Sequence, residues 1–202
     1  MSYKVLYNGC DVSFAQDLID MVALKASGAQ FVMIRAGFGD DATQIDSCFE
    51  TNIKNALAVG LHVGCYWFSY ATSVADAIKE AQAMKLIITK YSGQMDFPMA
   101  FDYEGASIAY FEKINGRAPS KQEIEDMTNA FLGEMTKGCW YAVITAISIL
   151  SKITMQTLPG VIAFGWLIII RVTQHSHAVC AKLKVMAVNQ VLVPTLIWIS
   201  LT

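Results

Sequence analysis

Two carboxylic acids two residues apart, Asp102 and Glu104, close the apolar run "FPMAFDYEG" at residues 97–105. Side chains alternate across a strand, so a strand here puts both acids on one face and Phe101 and Tyr103 on the other. Carboxylates held side by side repel, and at least one pKa then rises. A chain can keep a general acid protonated near neutral pH in this way. The motif alone reads equally well as two solvated acids at a surface strand end. What lies at the neighbouring strand ends decides between the two.

Residues 3–138 alternate strand and helix patterns. "YKVLYNGCDVS" reads as a short strand ending at Asp11. "FAQDLIDMVALKASGA" spaces Leu18, Ile19, Val22 and Leu24 as one helical face, ended by Gly28. "QFVMIRAGFG" is a buried strand running into a glycine turn, too sparse for a phosphate loop. "DSCFETNIKNALAVG" predicts a helix stopped by Gly60, and "LHVGCYWFSYA" a third strand. "SVADAIKEAQAMKLIITKY" predicts a helix opened by Ser73, with Asp76 three positions on. After "DFPMAFDYEG" come a loop with "NGRAP" and a helix over "SKQEIEDMTNAFLGEMTKG", capped by Ser120 and stopped by Gly138.

Strands alternating with helices imply an α/β fold with a parallel sheet, and this spacing suits a β/α barrel. Such barrels hold their chemistry at the C-terminal ends of the strands. Asp11, Arg35, Tyr66, Phe68, Asp102 and Glu104 all fall at or near those ends. Singly, Arg35 reads as a salt-bridge partner, and Tyr66, Trp67, Phe68 and Tyr70 as core or rim aromatics. Together, three acids, an arginine and an aromatic strand end point to a saccharide cleft with a carboxyl pair.

At 202 residues the chain can bury a substantial core, and its net charge of −2 gives no sign of a nucleic-acid partner. Cys10, Cys48, Cys65, Cys139 and Cys180 show no CxxC pairing and no metal-ligand spacing with the three histidines. They read as buried free thiols, and no metal or other cofactor is expected. The N-terminus has no long apolar stretch of the signal-peptide kind.

The segments "GCDVSFAQ", "IDMVALKASGAQFVMIRAGFG", "FETNIKNALAVGLHVGCYWFSYA", "ADAIKEAQ" and "FPMAFDYEG" together resemble glycoside hydrolase family 25, the N-acetylmuramidase lysozymes of bacteria and phages. They follow the family's order over residues 9 to about 142. The resemblance implies a TIM-barrel-related β/α fold. It implies hydrolysis of the β-1,4 bond between N-acetylmuramic acid and N-acetylglucosamine, with a peptidoglycan glycan strand as the partner. Action on the cell wall, from outside or after phage release from the cytoplasm, follows from that substrate. By the same resemblance Glu104 is the general acid, Asp102 and Asp11 stabilise the charged centre, and Arg35, Tyr66, Phe68 and Tyr70 line the sugar cleft.

A sharp break then divides 1–142, the barrel portion, from an apolar tail at 143–202. All seventeen acids lie between Asp11 and Glu134, so the tail carries only Lys152, Arg171, Lys182 and Lys184. The family's later G-x-Y-x-N, W-x-A-x-Y and Asp-rich strands are missing from it. A membrane hairpin fits poorly, because spanning needs about 20 apolar residues and Lys152, Pro159 and Arg171 interrupt the runs. A reading-frame shift fits better. Reading the third base of each codon with the first two of the next allows Gly at Ala142/Val143, Tyr at Ile144/Thr145 and Asn at Ala146/Ile147. Trp166/Leu167 then gives only Ala or Val, and Trp198/Ile199 only Asp, so V-A-D-Y and D-L-D endings are open. An out-of-frame tail leaves the activity of this exact chain in question. The rival readings are an inactive peptidoglycan-binding remnant and a membrane-tethered hydrolase.

Overall fold

A computed structural model describes residues 3–137 and, as backbone strands, residues 142–146, 169–170, 182–188 and 197–199. Four strands, β1 (Tyr3–Val12), β2 (Phe31–Phe38), β3 (His62–Phe68) and β4 (Met99–Tyr103), pair consecutively and in parallel. β5 (Ala142–Ala146), β6 (Ile169–Ile170), β7 (Lys182–Val188) and β8 (Ile197–Ile199) complete an eight-stranded sheet of order β6-β7-β1-β2-β3-β4-β5-β8. β5 joins β4 and β8 joins β5 in parallel. β7 runs antiparallel on β1, and β6 antiparallel on β7. The α/β, barrel-like class read from the strand–helix alternation is the class observed. The reading of 143–202 as out of frame concerns residues that mostly lie outside the described ones.

Helices back one face of the sheet. α1 (Met21–Ala26), α2 (Phe49–Ala58), α3 (Val74–Ile88), α4 (Gly105–Asn115) and α5 (Lys121–Lys137) alternate with the strands, α4 and α5 both following β4. The pairing register sorts the strand residues between two faces. Asp11 lies beside Met33, Arg35 beside Tyr66, Tyr66 beside Ala100, and Phe68 beside Asp102. Alternation therefore gives Asp11, Met33, Arg35, Gly64, Tyr66, Phe68, Ala100 and Asp102 one common face. The other face carries Val12, Ile34, Cys65, Trp67, Phe101 and Tyr103, which pack with Phe49, Met84, Phe111 and Phe131 in the apolar core. Phe101 meets Phe131 at 4.8 Å and stacks on Tyr103 at 6.0 Å between ring centres. The acids are thus turned away from the helical layer. Below them, Phe31 stacks on Phe97 at 4.8 Å, and Tyr7 and His62 close the same aromatic cluster.

Local signals explain most element boundaries. Ser73 Oγ accepts from the Asp76 N–H and donates to its carboxylate, which opens α3 as expected. Ser120 and Glu123 make the equivalent pair at the start of α5. Gly60 ends α2 at φ 69°, in the left-handed region open to glycine. Gly138, expected to stop α5, lies outside the described residues.

Three expectations are corrected. The helix expected over "FAQDLIDMVALKASGA" is only a 3-10 turn at Phe14–Gln16 followed by α1, because Asp20 takes the Val22 and Ala23 N–H groups as a cap. The stretch between Glu104 and "NGRAP" is not loop but α4, with Ser107 Oγ accepting the Glu104 N–H and Gly116 closing it at φ 70°. Cys48 and Cys65 are buried free thiols as expected, but Cys10 is disulfide-bonded.

Candidate active site

β1 ends at Val12, one residue past Asp11, and the chain then turns at Ser13. Buried Ser13 caps the 3-10 turn, with Gln16 Oε1 accepting its N–H at 2.9 Å. This turn is tied to β2 through Asp46, a buried acid in the β2–α2 connection. Asp46 Oδ2 accepts from Phe14 N–H at 3.0 Å and from Arg35 Nε at 2.7 Å, while Oδ1 takes the Cys48 N–H at 2.9 Å. The Arg35 guanidinium lies 4.5 Å from the Phe14 ring centre and 5.8 Å from that of Phe38. Its Nη2 is buried without a hydrogen-bond partner.

Tyr66 sits in the middle of this face and is buried. Burial raises its phenol well above the usual range; the charges of Asp11 and Asp102 push the same way, against Arg35 and a hydrogen bond with Ser13. That set of influences places Asp11, Asp102, Arg35 and Tyr66 around one space. Asp11 keeps partial solvent access but is closely surrounded by protein, and burial pushes its carboxyl up to about 6. Its own backbone hydrogen bond opposes that rise, and the charge of Glu104 adds to it. Glu104 therefore shares the space with Asp11. It follows Tyr103 with extended backbone, φ −119° and ψ −169°, so strand geometry carries through from Asp102 to Glu104 before α4 begins. Asp102 is buried, and its carbonyl accepts the Ser69 N–H at 2.8 Å. Asp11, whose carboxyl is raised by burial and by the charge of Glu104, lies on a different strand from the Asp102–Glu104 pair.

Aromatic rings form the adjoining wall. Tyr70 lies 5.3 Å from Phe68, 5.3 Å from Tyr110 and 6.4 Å from Phe38, centre to centre. Trp67 points to the opposite side, where its Nε1–H donates to the Gly39 carbonyl at 2.8 Å and pins the turn after β2. Gly37 passes so close that a Cβ there would stand 2.6 Å from the Trp67 ring. All seven residues singled out from the sequence lie at this end of the sheet. Phe14, Phe38, Tyr110 and Asp46 belong to the same neighbourhood and were not anticipated. Phe14 directly follows "DVS" and could have been suspected; Asp46 carries no motif.

Among the described residues no three His, Cys, Asp or Glu side chains gather as a metal site. No helix among them is long and apolar enough to cross a membrane.

Carboxyl groups gathered at the C-terminal strand ends of a helix-backed parallel sheet are what barrel glycosidases use. That class narrows to one family. The chain belongs to the glycosyl hydrolases of family 25, whose family model matches residues 10–158 and so reaches past Ala142. Solved structures of similar fold include the modular autolysin LytC from Streptococcus pneumoniae, with a TM-score of 0.60 and 22% identity over 71% of this chain. The chain spans only 33% of that autolysin's length. A family 25 glycosyl hydrolase from Bacillus anthracis matches with a TM-score of 0.57 and 17% identity, over 93% of this chain and 91% of its own. A family GH25 lysozyme from Aspergillus fumigatus gives 0.52 and 23%, over 69% and 66%. No curated protein matches the chain.

Proposed function

We propose that the protein is a muramidase that hydrolyses the β-1,4 bond between N-acetylmuramic acid and N-acetylglucosamine in peptidoglycan. One observation carries this reading within the family: the strand register turns Asp11 and Asp102 to the same face, and Glu104 acts on Asp11 across the space between them. Glu104 continues the extended backbone of β4 at the mouth of the cleft. There it donates its proton to the leaving glycosidic oxygen. Positive charge then develops at the anomeric carbon, and Asp102 stabilises it from a buried position, where a carboxylate acts more strongly than in water. Asp11 adds negative charge from β1, across β2 and β3 on the same face. The attacking group is either a carboxylate or the substrate's own acetamido oxygen, two routes that share the same acid.

The walls suit a glycan. Phe68 and Tyr70 offer flat apolar faces to sugar rings, and the Arg35 guanidinium places positive charge beside the Phe38 ring of the same wall. Several relatives support the substrate class, among them the bacterial lysozyme from Streptomyces coelicolor and the Cpl-1 endolysin complexed with a peptidoglycan analogue. The test is reducing-end release from purified peptidoglycan, with mass analysis of the products. Fragments ending in reducing N-acetylmuramic acid are expected. Fragments ending in reducing N-acetylglucosamine would replace this reading with the opposite bond specificity.

A further inference from the structure

Glu80 lies on α3, outside the cleft, and is only 1% exposed. Its Oε1 accepts the Tyr70 N–H at 2.8 Å, and the Ser69 hydroxyl nearby works against the rise in its pKa. Oε2 is buried with no partner. Leaving a buried carboxyl oxygen unsatisfied is destabilising, so simple helix packing gives no reason for an acid at this position.

The contact sits at the joint between β3 and α3. Ser69 N–H donates to the Asp102 carbonyl at 2.8 Å, and Ser69 Oγ accepts the Ala71 N–H at 3.0 Å. Glu80 therefore grips, from below, the turn that carries Tyr70 over the cleft while Asp102 holds it from the side. We propose that Glu80 is a positioning residue: by fixing the Ser69–Tyr70 backbone it holds the Tyr70 ring against Phe68 and Phe38 as a preformed wall for the glycan. The glycan part rests on the muramidase reading; the backbone clamp does not.

Among the described residues, three titratable groups lie near Glu80: Asp76 from its own helix, Asp40 from the turn after β2, and Tyr103 from β4. Burial is the main cause of a carboxyl pushed up to about 8, and the charges of Asp76 and Asp40 add to it. At neutral pH the group is therefore mostly protonated, which spares the joint a buried charge. Because the folded-state pKa lies above that of a free carboxyl, the favourable contribution is complete at low pH. It is lost as pH rises through about 8.

The experiment uses the full chain and two readouts. One is amide hydrogen exchange in peptides spanning residues 68–72, with peptides from α5 as the internal reference. The other is calorimetric binding of a soluble tetrasaccharide of alternating N-acetylglucosamine and N-acetylmuramic acid. Glu80→Ala is expected to speed exchange in 68–72 and to weaken binding ~10–100-fold, as expected when a positioned contact is lost. Glu80→Gln keeps a carbonyl acceptor and should bind and exchange like the unmodified protein. Unchanged exchange and binding in Glu80→Ala, or equal loss in both variants, would overturn the proposal. If Glu80→Ala does not fold, the unmodified chain compared with Glu80→Gln from pH 7 to pH 9 decides. A rise in 68–72 exchange beyond the chemical rate near pH 8, absent in Glu80→Gln, supports the clamp; its absence, or its presence in both, ends it. Failure of the unmodified chain to bind the tetrasaccharide would count against the muramidase reading, while the exchange data still judge the clamp.

Discussion

Arg35 Nε donates to Asp46 Oδ2 at 2.7 Å, and the same carboxylate collects the Phe14 and Cys48 N–H groups. A single buried acid thus joins the end of β2, the turn after β1 and the entry to α2. Through the Phe14 ring over the guanidinium, it also sets the mouth of the cleft.

Asp46→Ala should therefore be severe. It leaves a mostly buried guanidinium and two backbone donors without their acceptor, a loss of about 3–5 kcal/mol on the scale of broken buried ion pairs. Equilibrium unfolding in urea measures it. A change under about 1 kcal/mol, the size of a surface pair, would show that water replaces the carboxylate.

Asp11 gives a pH signature. Its carboxyl is raised in the fold to about 6, above the ordinary 3.8. Its contribution to stability is then complete below the unfolded pKa and is lost as pH rises from about 4 to about 6. Asp11→Asn removes that loss. The variant should gain about 2 kcal/mol over the parent at pH 8, a figure already reduced for the partial solvent access of Asp11. The advantage should vanish below pH 4. Unfolding curves at several pH values check this, and an advantage growing toward acid would reverse the sign.

Glu104→Gln keeps the shape and hydrogen bonding of the acid but removes the donated proton. In the protein with the downstream frame restored, the loss on purified cell walls should be roughly 10²–10⁴-fold, as for general acids. The melting temperature should stay near that of the parent. Lysis at the parent rate would mean that Glu104 is not the acid.

The frame of the tail is directly checkable. If residues 143–202 are out of phase, the gene read one frame over from codon 142 should spell G-x-Y-x-N, then V-A-D-Y, then D-L-D at its end. A segment never selected to pack on the barrel lacks mutually consistent local and tertiary signals. The 202-residue chain should then clear cell walls weakly or not at all, and the restored-frame protein should clear them. A gene with no such motifs in the other frame, or full lysis by the chain as it stands, would refute the frameshift.

The sequence determined the parts governed by local rules. Alternation put Asp102 on one side of β4 and Phe101 and Tyr103 on the other; Ser73 and Ser120 opened their helices through caps; Gly60 closed one. These signals lie within a few residues of what they control. Local pattern failed where a nearer polar group competed with periodicity. Asp20 capped α1 and cut short the helix expected from Phe14, and Ser107 started α4 where loop was expected. Only the tertiary structure decided that Asp11 is perturbed. Asp11 stands 91 residues before Asp102, and burial between neighbouring strands, which no spacing along the chain encodes, raises its pKa. Asp46 and Glu80 are of the same kind. Each is an ordinary acid in sequence, and each became important because folding buried it beside backbone N–H groups far away along the chain or across a turn. Removal from water is what gives such a contact its strength, and that is decided by the packed whole.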